Sequence, residues 1–119
     1  MRIGLLAARA GVSTSRIRFY EAQGLLPPPR RRHSGYRDYD ERALEIILFI
    51  NRARGLGFSL AEVAAHLDSP QDHRRKSRLL SKMEDKIREL DSHLADLQSR
   101  RTTLLNLATE LRRNMAQDQ

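Results

Sequence analysis

Arg16 and Arg18 flank Ile17 in a stretch, Ser13 to Ala22, that reads as a short helix. If Ile17 turns into a core, the two arginines cannot both follow it, and they stand toward solvent. A guanidinium is a planar fork that donates paired hydrogen bonds to phosphate oxygens and to the edge of guanine. The chemistry offered here is therefore recognition of a polyanion. Thr14 and Ser15 open the same segment and are candidate contacts with it. A second basic cluster follows: Arg30, Arg31 and Arg32, then Tyr36, Arg37 and Tyr39 around a turn at His33-Ser34-Gly35. From this cluster Arg32, Tyr36, Arg37 and Tyr39 are the candidate contacts.

Other chemistries find little to build on. The chain has no cysteine, so disulfides, thiolate metal sites and cysteine nucleophiles are excluded within it. His33, His66, His73 and His93 form no ligand-spaced pair and read as surface or capping residues, so no metal site and no cofactor are expected. There is no nucleophile elbow, phosphate loop or HExxH helix, and an enzyme is not expected. The opening Met1-Arg2-Ile3-Gly4-Leu5-Leu6 is too short an apolar run for a signal peptide, and no run approaches the ~20 apolar residues of a membrane span. A cytoplasmic protein is the expectation.

The charge agrees with the polyanion reading. The formal net charge is +7 over 119 residues, and such a balance favours nucleic acid over an anionic membrane. Every cation in residues 1–58 is an arginine, eleven of them against five carboxylates. Hydrophobic residues make up 39% of the chain, thin core material for its length, so part of the apolar surface is expected to be buried against another chain.

The elements that must hold these residues can be read from caps and periodicity. Ile3 to Arg9 predicts a helix broken by Gly11, with Ala7 small enough for a helix crossing and Ile17 packing back against it. Ser13 or Thr14 can cap the second helix, which stops at Gly24. Pro27-Pro28-Pro29 cannot be helix interior, and the basic cluster after it predicts a two-stranded hairpin. Asp40 caps a third helix from Glu41 to about Arg54, with Ala43, Leu44, Ile47, Leu48 and Ile50 largely on one face. Ser59-Leu60-Ala61-Glu62 matches a capping box and opens a fourth helix that ends near Leu67, before Asp68-Ser69-Pro70. Two helices joined by a Gly-containing turn suggest helix-turn-helix.

Residues 74–119 contain no Gly, Pro or aromatic residue. Leu80, Met83, Ile87, Leu90, Leu94, Leu97, Arg101, Leu104, Ala108 and Leu111 alternate spacings of three and four without a slip, an a/d heptad seam. A helix over 74–112 would be close to 60 Å long at ~1.5 Å per residue, with no partner of that length in its own chain. A second copy is the simplest cover, so a homodimer is expected, with the leucines, Met83 and Ile87 of the seam as its contacts. Arg101 at an a position is costly unless it reaches solvent or a partner, and it is expected to mark the register.

Taken together, Ile3-Gly4-Leu5-Leu6-Ala7, Gly11-Val12-Ser13, Ile17-Arg18-Phe19-Tyr20-Glu21, Gly24-Leu25-Leu26-Pro27, Gly35-Tyr36-Arg37-Asp38-Tyr39 and Leu56-Gly57-Phe58-Ser59-Leu60 resemble the MerR family of bacterial regulators. The resemblance covers residues 1–67 closely, and the long helix matches the family's dimerisation helix in position and length. It implies a mainly α fold: a winged helix-turn-helix DNA-binding domain over 1–67, a linker at 68–73, a dimerisation helix over 74–112 that pairs as an antiparallel coiled coil, and a short tail at 113–119. It also implies that Arg16 and Arg18 lie on the recognition helix, with Tyr20 on a phosphate. Arg37 and Tyr36 fall on the wing, and Tyr39 supports the wing or touches backbone. Phe19 stands where members often carry a second Tyr, so a hydroxyl is lost there. Similar proteins bind double-stranded DNA at a promoter pseudo-palindrome and distort an overlong spacer so that RNA polymerase can engage both promoter elements.

The chain departs from the family in its sensing region. Metal-sensing relatives carry cysteines near the start of the dimer helix and in a loop after it. Here the start reads Arg74-Arg75-Lys76-Ser77-Arg78, and no thiolate is available. Drug-binding relatives carry a large further C-terminal domain, and only eight residues follow Leu111, so no such module is expected. The effector is left open. Two other readings stand beside the regulator: an architectural protein of the excisionase type, which the long helix disfavours, and a coiled-coil interaction module with an incidental basic head.

Overall fold

A computed structural model of the chain describes all residues except 28, 32–34 and 119. Contacts divide the chain into two compact units, Met1–Gln71 and Asp72–Gln119. The expected turn at His33-Ser34 and the candidate Arg32 lie outside the described residues.

The first unit opens with α1 (Ile3–Ala10) and α2 (Thr14–Ala22). Gly11 separates them in the left-handed conformation, φ 69°, which a residue without Cβ adopts at little cost. The Ser13 hydroxyl is the cap: it accepts from the Arg16 backbone N–H at 3.0 Å. Gln23 caps the far end of α2, and Gly24 follows at φ 75°. A two-stranded antiparallel sheet then pairs β1 (Arg30–Arg31) with β2 (Arg37–Asp38), Arg30 opposite Asp38 and Arg31 opposite Arg37.

α3 (Glu41–Gly55) starts at Asp40, whose carboxylate accepts from the Ala43 N–H at 3.1 Å. α4 (Leu60–Asp68) starts at the Ser59–Glu62 capping box, both reciprocal bonds being 3.1 Å. Arg9, in the last turn of α1, grips Glu41, in the first turn of α3, through two hydrogen bonds of 2.6 and 3.1 Å. Each of these charges also suits the dipole of its own helix end.

The core of this unit collects one face of each helix. Leu6, Ile17, Ile47 and Ile50 are fully buried, joined by Ala43, Leu44, Leu25, Leu26 and Val63. Each such aliphatic side chain contributes roughly 1.5–3 kcal/mol relative to exposure. Leu48, expected on the same stripe of α3, is 47% exposed instead. At 100° per residue it is rotated a full step from Ile47, and the core here is narrower than the apolar set. His66 is also corrected: it is buried, and its ring lies 5.6 Å from Phe49.

The second unit is dominated by α5 (Arg75–Gln117), 43 residues long. It begins one residue after the expected start and continues past the expected end at residue 112, so most of the expected tail is helical. Met115, four residues past Leu111, continues the heptad spacing, and no Gly or Pro stops the backbone. Among the described residues α5 buries none. Leu80, Met83, Ile87, Leu90, Leu94, Leu97, Leu104 and Leu111 all lie between 43% and 67% exposed.

Candidate nucleic-acid interface

α2 is amphipathic in the simplest sense. Ile17 is fully buried, and its neighbours Arg16 and Arg18 are exposed, with Ser15 beside them. Thr14 is half-buried in the first turn. The helix therefore presents two guanidinium groups on the face turned away from the core.

Tyr20 is placed differently from expectation. Its ring is 3% exposed, packed in the core and tilted against Phe19 with centroids 6.0 Å apart. An apolar ring at that point of the helix faces inward with Ile17, three residues earlier. It lines a cleft of about 410 Å³ together with Ser13, Arg16, Asn51 and Arg54. Asn51 reaches the end of α1, donating to the Ala10 carbonyl at 3.4 Å.

Tyr39, expected either to support the wing or to touch backbone, is placed as a support. It is 3% exposed, and its hydroxyl donates to Glu21 Oε2 at 3.0 Å. Burial, with the Glu21 carboxylate next to it, pushes the phenol from 10.0 up to about 12, and Arg37 and Arg18 pull weakly the other way. Tyr39 also exchanges backbone bonds with Met1, its N–H to the Met1 carbonyl at 2.7 Å and its carbonyl to the Met1 nitrogen at 2.5 Å.

Glu21 ties the wing to α2. One carboxylate oxygen accepts from Tyr39, and the other lies 3.4 Å from Arg37 Nε. The approach is an ion pair and not a hydrogen bond, since the buried Arg37 Nε makes none. Tyr36 is half-buried, and the guanidinium carbon of Arg2 sits 4.0 Å from its ring centre. A second cleft, of about 280 Å³, is lined by Arg2, Arg18, Tyr36 and Arg37 together with Ile3 and Gly35.

The fold thus gathers Arg16, Arg18, Tyr36 and Arg37 onto neighbouring elements and withdraws Tyr20 and Tyr39 into the interior. Sequence reasoning missed Arg2, Asn51 and Arg54, which join the two clefts from outside the recognition segment. Arg54 carried a signal, as a cation in the last turn of α3. Among the described residues no group of three or more His, Cys, Asp or Glu is placed to hold a metal ion. No described helix is long and apolar enough to cross a membrane.

Comparison with known proteins gives the same picture along the chain. The family described as MerR HTH family regulatory protein matches residues 1–70. The one described as MerR, DNA binding matches residues 44–107. An HTH-type transcriptional regulator CueR from Salmonella typhimurium is 38% identical over 109 residues, 91% of this chain and 79% of the relative. An uncharacterized HTH-type transcriptional regulator, PA4778 of Pseudomonas aeruginosa, is 41% identical over 108 residues, 90% of this chain and 82% of the relative. Among solved structures, the dual function transcriptional regulator MerR from Bacillus megaterium MB1, in complex with mercury(II) ion, aligns with a TM-score of 0.69 at 29% identity, covering 89% of this chain and 82% of that one.

Proposed function

This chain belongs to the MerR family of helix-turn-helix regulatory proteins, and on that footing we propose that two copies bind a promoter pseudo-palindrome and change transcription by distorting the DNA between its half-sites. The single observation that carries the reading is the pair Arg16 and Arg18, exposed on α2 while Ile17 between them is buried. That is the form of a helix that enters a major groove and offers guanidinium forks to base edges. Thr14 and Ser15 begin the same helix. Tyr36, Arg37 and, in the neighbouring segment, Arg32 contact backbone from the wing. Tyr20 reaches a phosphate through the cleft beside Arg16, and Tyr39 holds the wing from within. Family membership decides against the excision-factor and bare coiled-coil readings, and the relatives' work is regulation of transcription rather than catalysis.

The homodimer follows from α5. Eight large apolar side chains on one stripe are about half exposed. Covering them on both copies is worth on the order of 15 kcal/mol gross, comparable with the ~4–15 kcal/mol that association costs. Arg101 favours the antiparallel arrangement. In a parallel pair the two Arg101 side chains share one a-layer and repel. In an antiparallel pair with Leu80 opposite Leu111, each Arg101 faces Leu90 of the other copy. This arrangement sets two α2 helices apart to meet half-sites one helical turn, ~34 Å, or a multiple apart. Bending the intervening DNA costs of the order of 1–6 kcal/mol, repaid by phosphate contacts, and lets RNA polymerase engage a promoter whose elements are otherwise too far apart. The protein acts in the cytoplasm, where the chromosome is.

Footprinting on the DNA upstream of its own gene tests the reading. Protection of a pseudo-palindrome across an overlong promoter spacer supports it. No protected site at protein concentrations that saturate random DNA would contradict it.

A further inference from the structure

α1 begins where a helix normally places an oxygen acceptor, and it has none. Arg2 is the N-cap residue, extended at φ −73° and ψ 160°, and its side chain makes no capping bond. A Ser, Thr, Asp or Asn at such a position satisfies an orphan N–H, whereas a cation there opposes the helix dipole. Within Met1–Gln71, α2, α3 and α4 obey the rule through Ser13, Asp40 and Ser59, and α1 is the exception; in the second unit α5 also begins at an uncapped arginine, Arg74. A local rule broken with no local compensation marks a position held for another purpose.

The Arg2 side chain lies over the Tyr36 ring, at 4.0 Å. Stacking on a ring engages the face of the guanidinium and leaves its N–H edge to donate. Arg2, Arg18 and Arg37 line one cleft of about 280 Å³. Two carboxylates lie nearby and both are engaged, Glu21 by Arg37 and Tyr39 and Asp38 by the Met1 amine. Three guanidinium groups converging on one cleft repel one another until an anion enters.

We propose that Arg2 belongs to the DNA interface: held on Tyr36 and beside Arg18, it seats one phosphodiester of the duplex between the start of α1 and the wing. This rests on the reading of α2 as a recognition helix and adds to it a contact from the head of α1, outside the recognition helix and the wing. The occupant is a backbone phosphate rather than a base, because three guanidinium groups around one cleft suit the full negative charge of a phosphodiester, which a base edge lacks.

Binding to a random-sequence DNA duplex, measured against salt for the full chain and for the Arg2→Ser and Arg2→Lys variants, tests it. Arg2→Ser is expected to lower the slope of log K against log salt by about one unit and to weaken binding several-fold near 0.1 M salt. Its Tm is expected to hold or rise, because serine supplies the missing cap. Arg2→Lys is expected to keep the wild-type slope, since an ammonium still neutralises a phosphate. Arg2→Ser binding with the wild-type slope and affinity overturns the assignment of Arg2 alone. So does an Arg2→Lys protein that folds normally but loses the slope. A wild-type chain with no salt-dependent binding to any duplex overturns the recognition-helix reading as well.

Discussion

The two units of this chain solve the problem of apolar surface in opposite ways. Met1–Gln71 folds four short helices and a hairpin around Leu6, Ile17, Ile47 and Ile50, all fully buried. Asp72–Gln119 places most of its large apolar residues on a single stripe, with Leu105 and Leu107 beside it, and among the described residues α5 buries none of them. The first unit carries its stability within itself, and its exposed groups are therefore free to be arginines. The second has no core until another chain supplies one, which makes α5 an interface rather than a domain. A regulator that reads two half-sites needs both kinds of region: one that keeps its shape alone, and one whose cohesion depends on pairing.

The largest effect should come from breaking the second solution. Leu94→Glu puts a charge near the middle of the stripe on both copies. Burying two unpaired carboxylates should raise the dimer dissociation constant about 10³-fold, with the fold of residues 1–71 retained. Sedimentation and circular dichroism together read this, and loss of the N-terminal fold as well would show that the two regions are not independent. The converse is Ile47→Ala, which empties a fully buried site. It should cost about 2–5 kcal/mol in the unfolding of the first unit and leave the self-association of α5 nearly unchanged.

Smaller effects distinguish side chains within the first unit. Arg18→Ala should lose about 1–3 kcal/mol on the cognate site and much less on random DNA, so that base preference relaxes. Arg37→Ala should weaken all sequences alike and lower the salt slope by about one unit. Equal losses on cognate and random DNA for both variants would contradict the division between base reading and backbone contact. The smallest effect belongs to Tyr39. Its phenol is pushed from 10.0 up to about 12, so the unfolded chain releases this proton before the folded one does. The stability it provides is complete below about pH 10 and is lost as pH rises toward 12. Tyr39→Phe should cost roughly 1 kcal/mol near neutrality through the lost bond to Glu21, and should flatten this alkaline limb. A limb unchanged by the substitution would place the loss on another group.

What the sequence made legible is what local chemistry decides. Asp40 and the Ser59–Glu62 box could be read in advance because a cap is satisfied within three residues of itself. The α5 stripe could be read because a helix repeats its own geometry. The depth of Tyr20, Tyr39 and His66 could not, because each is buried by elements distant in sequence. The Glu21 link to Tyr39 spans 18 residues and the Arg9 grip on Glu41 spans 32, and no periodicity announces either. Tyrosines beside arginines suggested exposed side chains, yet two of the three rings are packed in the core. Arg2 went unread for the complementary reason: it lies outside the recognition segment, and only the Tyr36 ring above which it sits gives it meaning.

Light scattering on the full chain at micromolar concentration in dilute salt tests the dependence of α5 on a second copy most directly. The account predicts a particle of twice the 13.7 kDa chain mass. A monomer under those conditions, with α5 still helical, would contradict it, because nothing would then hold two recognition helices at a fixed separation.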